Sequence, residues 1–237
     1  MTRLGKLIAI AGMASRRRAV ELVKVGKVRV GGRVEKDPAV DVPPDASVTV
    51  DGRTLRREPL RHYLLHKPVG TVSTAADTHG RRTVTDLVPK GARVYPVGRL
   101  DADSSGLILL TNDGDLTNKL THPRHEVPKT YRVTFEGALS EKTLDRLRRG
   151  VRLRETKGHV VTKPADVRVV RSGRGSTTAE LTIREGRNRQ IRRMGEAVGH
   201  AVTNLVRIRM GPLSLGRLPK GKYRPLERRE LDALRKL

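Results

Sequence analysis

The apolar run at residues 107–110 is the feature that most constrains how this chain can fold. Its sequence is Leu-Ile-Leu-Leu, and it lies between Gly106 and the turn-forming sequence Asn-Asp-Gly at residues 112–114. A short apolar run bounded by turn signals is typical of a strand that is buried on both faces. The sequence therefore predicts a sheet with this strand in its interior and a loop directly before it.

Two carboxylates lie in that preceding loop. Asp101 and Asp103 follow Gly98 and Arg99, in a chain that has 50 lysines and arginines against 25 aspartates and glutamates. A carboxylate held between an arginine and a buried strand is the first candidate for a reactive group. The alternative is structural, with Asp101 capping a turn and pairing with Arg99.

The charge of the whole chain indicates what kind of partner it binds. The formal net charge is +25 and the isoelectric point is about 11.4. Such a field attracts polyanions. No apolar run approaches the length of a membrane span and no secretory signal pattern is present, so we expect a cytoplasmic protein that binds nucleic acid and no membrane. The absence of cysteine excludes disulfides, a thiolate nucleophile and cysteine-ligated zinc.

Residues 1–58 are predicted to form a small α/β module of their own. Apolar residues spaced at helical intervals begin at Leu4, and Ser15 is a good N-cap for a second helix over residues 16–24. Alternation with a period of two follows over residues 28–50, which predicts short strands. Residues 53–61 are charged and aperiodic and are predicted to be a linker.

The second helix of this module begins with three arginines, Arg16, Arg17 and Arg18. The helix dipole disfavours positive charge at this end. Either these arginines bind a polyanion, or they form a solvated basic face.

Residues 59–237 are predicted to form a larger α+β domain with a mixed, largely antiparallel sheet, because strands return after single helices without a regular βαβ period. Strands are predicted at residues 63–65, 107–110, 131–135, 167–170, 178–183 and 205–208, and helices at residues 116–120, 140–149 and 189–198.

Several common catalytic motifs are missing. The chain has no Walker loop, no Gly-x-Gly-x-x-Gly and no Gly-x-Ser-x-Gly, which are the usual signatures of nucleotide hydrolysis, dinucleotide chemistry and serine hydrolysis. His122 and His125 have a spacing that metal ligands can have, but Pro123 separates them and no carboxylate lies at helical spacing. No metal site is predicted there.

Three segments around the apolar run carry a resemblance. Gly-Arg-Leu-Asp at residues 98–101, Ser-Gly-Leu at 105–107 and Thr-Asn-Asp-Gly at 111–114 resemble the active-site segment of the RsuA/RluB group of ribosomal RNA pseudouridine synthases. The resemblance extends in order through Tyr-Leu-Leu-His-Lys-Pro-Val-Gly at 63–70, Lys-Thr-Tyr at 129–131 and Glu-Gly-Arg-Asn-Arg-Gln-Ile-Arg-Arg-Met at 185–194.

The N-terminal module resembles the S4 RNA-binding domain. The segments Ala-Ser-Arg-Arg at residues 14–17 and Gly-Lys-Val-Arg-Val at 26–30 carry this similarity, and Gly5 departs from the acidic residue usual in that domain. In the larger domain, His66 replaces the usual asparagine and Ser104 replaces the usual threonine.

The resemblance implies isomerisation of uridine to pseudouridine without a metal, nucleotide or redox cofactor. It implies that Asp101 is the catalytic carboxylate and that Tyr131 stacks on the target base. It also implies that Arg192 pairs with Asp101 and keeps it ionised, and that Leu205 lines the pocket. The structural alternatives are core packing for Tyr131 and Leu205 and a solvated charge for Arg192.

The remaining predicted contacts are to RNA. We expect Arg189 and Arg193 either to be alternatives to Arg192 as the partner of Asp101 or to bind phosphate. The predicted substrate-binding residues are Arg99, Leu205, Arg189, Arg193, Lys67, Arg16, Arg17, Arg18 and Lys27. The expected partner is a structured stem-loop or assembly intermediate of ribosomal RNA, 23S rather than 16S, bound by a monomer.

Two other functions are compatible with the residues alone. A metal-dependent phosphodiesterase would use Asp101 and Asp103 together to hold Mg²⁺. A non-catalytic RNA-binding or ribosome assembly factor would use the second domain only as a basic clamp.

Overall fold

The computed structural model describes residues 1–43, 45–56, 58–91, 93–156 and 158–237, which form two units. The first unit comprises Met1–Arg61 with the short segments Lys90–Val94 and Asn112–Gly114. The second comprises His62–Pro89, Tyr95–Thr111 and Asp115–Leu237. The first unit thus runs slightly past residue 58 and takes in two later segments.

The first unit pairs two helices with short antiparallel strands. Ser15 caps the second helix, and its side chain accepts a hydrogen bond from the backbone nitrogen of Arg18 at 3.2 Å. The apolar faces of both helices pack in one core with Val28 and Val48. The helices are α1 (Leu4–Ile10) and α2 (Arg16–Lys24), and the strands are β1 (Thr2–Arg3), β2 (Val28–Val30), β3 (Arg33–Glu35), β4 (Asp41–Val42), β5 (Val48–Val50) and β6 (Arg53–Thr54).

Strand pairing in this unit is simple. β1 pairs with β4, and the other four strands form a sheet in the order β3-β2-β5-β6, with every pair antiparallel. This arrangement agrees with the predicted α/β module.

The second unit contains most of the chain's strands. They are β7 (His62–Lys67), β8 (Tyr95–Pro96), β9 (Ser105–Thr111), β10 (Lys129–Glu136), β11 (Arg152–Arg154), β12 (His159–Val161), β13 (Asp166–Ser172), β14 (Ser176–Ile183), β15 (Val202–Met210), β16 (Leu213–Ser214) and β17 (Tyr223–Pro225). The helices are α3 (Gly114–Thr121), α4 (Glu141–Arg149), α5 (Gln190–Ala197) and α6 (Arg228–Lys236), with 3₁₀ turns at Val84–Leu87 and Pro123–His125.

Nine of these strands form one sheet. Its order is β13-β14-β10-β15-β9-β7-β17, with β16 beside β15 and β8 beside β9. The β15–β9 pair is parallel and the other pairs in this sheet are antiparallel. All seven residues of β9 are buried. The predicted mixed sheet with residues 107–110 in its interior is confirmed.

Gly106 allows β9 and β15 to approach each other closely. It has φ +112°, and a Cβ at this position would collide with the backbone of Arg207 on β15. Only glycine combines this backbone angle with the absence of a side chain. The glycine in the Ser-Gly-Leu motif is therefore required by the sheet itself.

Among the described residues, no helix has both the length and the apolar character needed to cross a bilayer.

Candidate active site

A cavity of about 610 Å³ lies within the second unit, on one face of the sheet. The loop before β9 forms one wall, the turn after α3 a second, and the segment that leads into α5 a third. Side chains of β10 and β15 also line it. The volume lies within the usual range of small-ligand sites and is large enough for a molecule of the size of one nucleotide.

Asp101 lies in this cavity, on the loop between β8 and β9. Hydrogen bonds on both sides of Asp101 fix the loop. The Ser73 hydroxyl donates to the carbonyl of Leu100 at 2.8 Å, and the amide of Ser104 donates to the carbonyl of Asp101 at 3.1 Å. Within the described residues, the Asp101 carboxylate has no hydrogen bond or ion pair, so it is available to a bound molecule.

Lys67 supports the same loop from beneath. Its side chain is fully buried, and Nζ donates to the backbone carbonyls of Ser104 at 2.7 Å, Pro68 at 3.1 Å and Ala102 at 3.5 Å. Burial lowers the pKa of Lys67 to about 8 against the opposing charges of Asp103 and Asp101. The structure gives Lys67 a positioning role rather than the predicted direct contact with RNA.

Asp103 connects the loop to α5. Its Oδ2 accepts a hydrogen bond from Arg189 Nη1 at 2.8 Å and lies 3.2 Å from Arg192 Nε, while Arg192 Nη2 donates to the Asp103 carbonyl at 3.0 Å. Burial raises the pKa of Asp103, but the hydrogen bond from Arg189 and the charges of Arg192 and Arg189 together outweigh burial and lower it.

The predicted pairing of Arg192 with Asp101 is wrong in this structure, because Arg192 pairs with Asp103. Arg189 precedes the first residue of α5 and Arg192 follows one turn later, so both guanidinium groups reach the same carboxylate. The remaining nitrogen of the guanidinium group, Arg192 Nη1, donates to the carbonyl of Val202 at 2.8 Å.

The other predicted substrate-binding side chains of this unit divide into two groups. Arg99 and Arg189 are exposed at the cavity, and Leu205 is buried in its wall. Arg193 lies elsewhere, because it pairs with Glu155 at 3.2 Å and also donates to the carbonyl of Arg154. We therefore assign Arg193 to packing of α5 against β11 rather than to the cavity.

One sheet face supplies a polar floor. Tyr131 on β10 is paired across the strands with Arg207 on β15, and Lys129 lies two residues before Tyr131 on the same face. All three residues line the cavity. Lys129 Nζ donates to the carbonyl of Val127 at 2.8 Å, and burial, followed by the charge of Arg207, lowers the pKa of Lys129 to about 8.

Sequence reasoning missed Lys129 and Arg207 as site residues. A signal was present, since strand alternation places Lys129 on the face of Tyr131 and Arg207 on the face of Leu205. The motifs Lys-Thr-Tyr and Leu-Val-Arg each contain one predicted site residue and one missed residue.

The described residues contain no cluster of three or more potential metal ligands among histidine, cysteine, aspartate and glutamate. Asp103, one half of the Mg²⁺ pair that a phosphodiesterase would need, is already engaged by two arginines. His122 Nδ1 accepts a hydrogen bond from the backbone nitrogen of Arg124 at 3.2 Å.

A family model described as RNA pseudouridylate synthase matches residues 61–197, which include the whole loop of Asp101 and all of α5. The chain belongs to this family. A model of the S4 domain matches residues 2–48 of the synthase.

Relatives of the synthase cover nearly its whole length. It is 46% identical to the ribosomal large subunit pseudouridine synthase B of Bacillus subtilis (strain 168), over 100% of this chain and 97% of that protein. It is 39% identical to an uncharacterized RNA pseudouridine synthase of Aquifex aeolicus (strain VF5), over 98% and 93%. A crystal structure of a pseudouridylate synthase matches with a TM-score of 0.72 and 30% identity, covering 99% of this chain and 100% of that one.

The S4 part of the synthase presents its predicted RNA-binding residues to solvent. Arg16, Arg17 and Arg18 are exposed in the first turn of α2, which contains no acidic residue. Lys27 is exposed and lies 3.3 Å from Asp51.

Proposed function

We propose that this synthase converts uridine to pseudouridine in the RNA of the large ribosomal subunit, 23S, with Asp101 as the catalytic carboxylate. The observation that carries the proposal is the Asp101 side chain, which lies unpaired among the described residues in a nucleotide-sized cavity. The name of the Bacillus subtilis relative supports the choice of the large subunit.

The reaction moves the glycosidic bond within one nucleotide. The bond between C1′ and N1 breaks, the uracil turns, a bond forms between C1′ and C5, and the C5 proton is lost while N1 gains one. No net redox change and no external group donor are needed. An ionised carboxylate can assist by attack on C1′, by attack on C6 or by promoting elimination.

Other residues position the two partners of this reaction. Tyr131 stacks on the uracil and Leu205 packs against it, as the apolar part of the cavity wall. Lys67 holds the loop from beneath, and Asp103 ties it to Arg189 and Arg192 of the α5 segment. Asp101 is thereby presented on a braced loop.

RNA binding is assigned to the positive charge of both units. Residues 1–58 contain 13 basic and 7 acidic residues, so most of the net charge of +25 lies in the second unit. The first helical turn of α2 contacts phosphates of a structured stem-loop or assembly intermediate, and Arg99 and Arg189 meet phosphates next to the target nucleotide. We propose that one copy of the chain acts alone in the cytoplasm, where ribosome assembly supplies this RNA.

The test is to map pseudouridines in total ribosomal RNA from a strain that lacks the gene and from its parent. We expect one or a few sites in 23S RNA to be lost and to return when the gene is restored. Purified protein should modify the corresponding RNA fragment without shortening it, in the presence of excess chelator once RNA folding is controlled. An unchanged pseudouridine map, or cleavage of the fragment, would contradict the proposal.

A further inference from the structure

Arg207 is a buried cation whose hydrogen bonds are largely unused. Its exposed fraction is 2%, and Nε donates to the carbonyl of Leu107 at 2.7 Å. Nη2 is buried and has no hydrogen-bond partner among the described residues. Burying a guanidinium with an unused donor is costly, so a ligand that supplies an acceptor would gain by occupying this position.

The surroundings of Arg207 add positive charge. The charge of Arg207 acts on both Lys67 and Lys129 and lowers the pKa of each. Lys67 is compensated by three backbone carbonyls and by Asp101 and Asp103, whereas Lys129 donates to the carbonyl of Val127 and to no other acceptor among the described residues. The part of the cavity floor formed by Lys129 and Arg207 is therefore cationic, and within the described part of the chain no carboxylate pairs with Lys129.

We propose that Arg207 and Lys129 form an anion site that holds a carbonyl oxygen of the target uracil and stabilises the negative charge which that oxygen gains while the base is detached. This inference rests on the proposed function. Asp101 is itself negative and cannot stabilise negative charge on the uracil oxygen. The inference assigns that contact to Arg207 and Lys129.

The electron balance of the reaction requires such a contact. When the C1′–N1 bond breaks, its electron pair stays with the base, and the charge is shared with O2 and O4. Attack of Asp101 on C6 also places charge on the ring carbonyls before the bond breaks. The charge is removed when C5 bonds to C1′ and its proton is transferred. Fixed donors aimed at charge of this kind contribute strongly in a water-poor site.

The position of the site favours the base over a phosphate. Arg207 is the cross-strand neighbour of Tyr131, and Leu205 lies two residues before Arg207 on the same face. These are the side chains that hold the ring of the base. Phosphates stay near solvent, where the exposed Arg99 and Arg189 meet them.

The experiment compares Arg207→Met and Lys129→Met with Arg209→Met in single-turnover assays on the 23S fragment. Arg209 is a matched control, because it is an exposed arginine on the same strand and pairs with Thr130 rather than with Tyr131. We expect the rate constant at saturating enzyme to fall about 100-fold for each of the first two variants. RNA affinity should be retained, and Arg209→Met should keep the wild-type rate constant.

Two further measurements separate this role from others. Thermal unfolding of Arg207→Met should show no loss of stability, because methionine removes a buried charge at similar volume. With 5-fluorouridine at the target position, C5 has no proton to lose and pseudouridine cannot form, so the quantity compared is the rate at which the C1′–N1 bond breaks. This rate should fall less in both variants than it does with uridine, since fluorine makes the departing uracil anion more stable. Arg207→Lys should recover part of the rate.

The opposite results would overturn the inference. In one such result, the variants bind RNA more weakly than the wild type but keep its rate constant, and a neutral methylphosphonate beside the target removes this difference in affinity. That result would assign the two cations to phosphate. Equal rates in all variants, or equal losses with uridine and 5-fluorouridine, would remove the leaving-group role. Absence of turnover in the wild-type protein would instead refute the proposed function, so the two failures are distinguishable.

Discussion

The arginines that begin α2 in the first unit are exposed, whereas Lys67 and Arg207 of the second unit are buried. Arg18 makes one surface ion pair, with Glu21 at 3.0 Å. Lys67, in contrast, donates to three backbone carbonyls at fixed positions. Exposed cations bind phosphate in many geometries and cost the fold little, while buried cations are tied to particular acceptors.

The difference implies a division of labour that substitutions can test. Changes among the exposed cations should alter affinity and its dependence on salt. Changes around the buried ones should alter the rate of the chemical step.

The largest effect is expected from Asp101→Asn. The substitution keeps the shape of the side chain but removes its charge and nucleophilicity, so turnover should fall by about 10⁴-fold or more. RNA affinity, measured by filter binding, should be nearly unchanged. If the variant keeps substantial turnover, Asp101 is not the catalytic carboxylate and the chemical role of its cavity is disproved.

Reversal of Arg16, Arg17 and Arg18 to glutamate tests the exposed side of the comparison. RNA affinity should fall on the order of 10- to 100-fold, and the slope of log affinity against log salt should become shallower by roughly two to three. Thermal stability should not decrease, because acidic residues suit the start of a helix. The matched variant with three glutamines should fall between. Unchanged affinity would mean that these arginines form a solvated basic face and do not contact RNA.

Asp103→Asn should have a smaller effect than Asp101→Asn. It removes the charge that Arg189 and Arg192 share but leaves an oxygen that accepts one hydrogen bond, so the loop should lose part of its bracing. We expect turnover to fall about tenfold, as for a modest loss of positioning. A metal-binding pair would make the two aspartates equally essential, so equal inactivity of both variants would favour that alternative.

The smallest effect concerns stability against pH. The pKa values of Lys67 and Lys129 are lowered to about 8 in the folded protein, below the usual value near 10.5. Between these values the unfolded chain binds more protons, so stability should rise as pH increases from about 8 to 10.5. Chemical denaturation of the RNA-free protein should show a shallower rise for Lys129→Met. If stability rose equally with pH in Lys129→Met and in the wild-type protein, the side chain of Lys129 would be hydrated rather than buried.

Local patterns predicted the interior of the second unit well, because burial leaves a periodic signature. The apolar run became β9, and the alternation around Tyr131 became β10. β17 and α6 escaped prediction, since β17 is short and owes its strand form to pairing with β7, and α6 is rich in charged residues.

It was harder to predict which side chains pair with each other in the site than which residues belong to it. Which of two aspartates an arginine reaches depends on how a loop and a helix meet in space, and sequence spacing does not contain that information. The pairing of Arg192 was therefore wrong although the arginine itself was found. Arg207 was missed because composition does not distinguish a buried arginine from the many exposed ones, and its alternation with Leu205 along the strand was not used.

The parallel contact between β9 and β15 determines when the site can first exist. Arg207 Nε is bonded to the carbonyl of a residue 100 positions earlier in the chain. A contact of such sequence separation forms slowly, since closing a long loop costs conformational entropy before the contact stabilises the fold. During synthesis on a ribosome, the S4 part emerges complete while β15 has yet to be made. The residues of the S4 part therefore leave the ribosome before the cavity that holds Asp101 can be assembled.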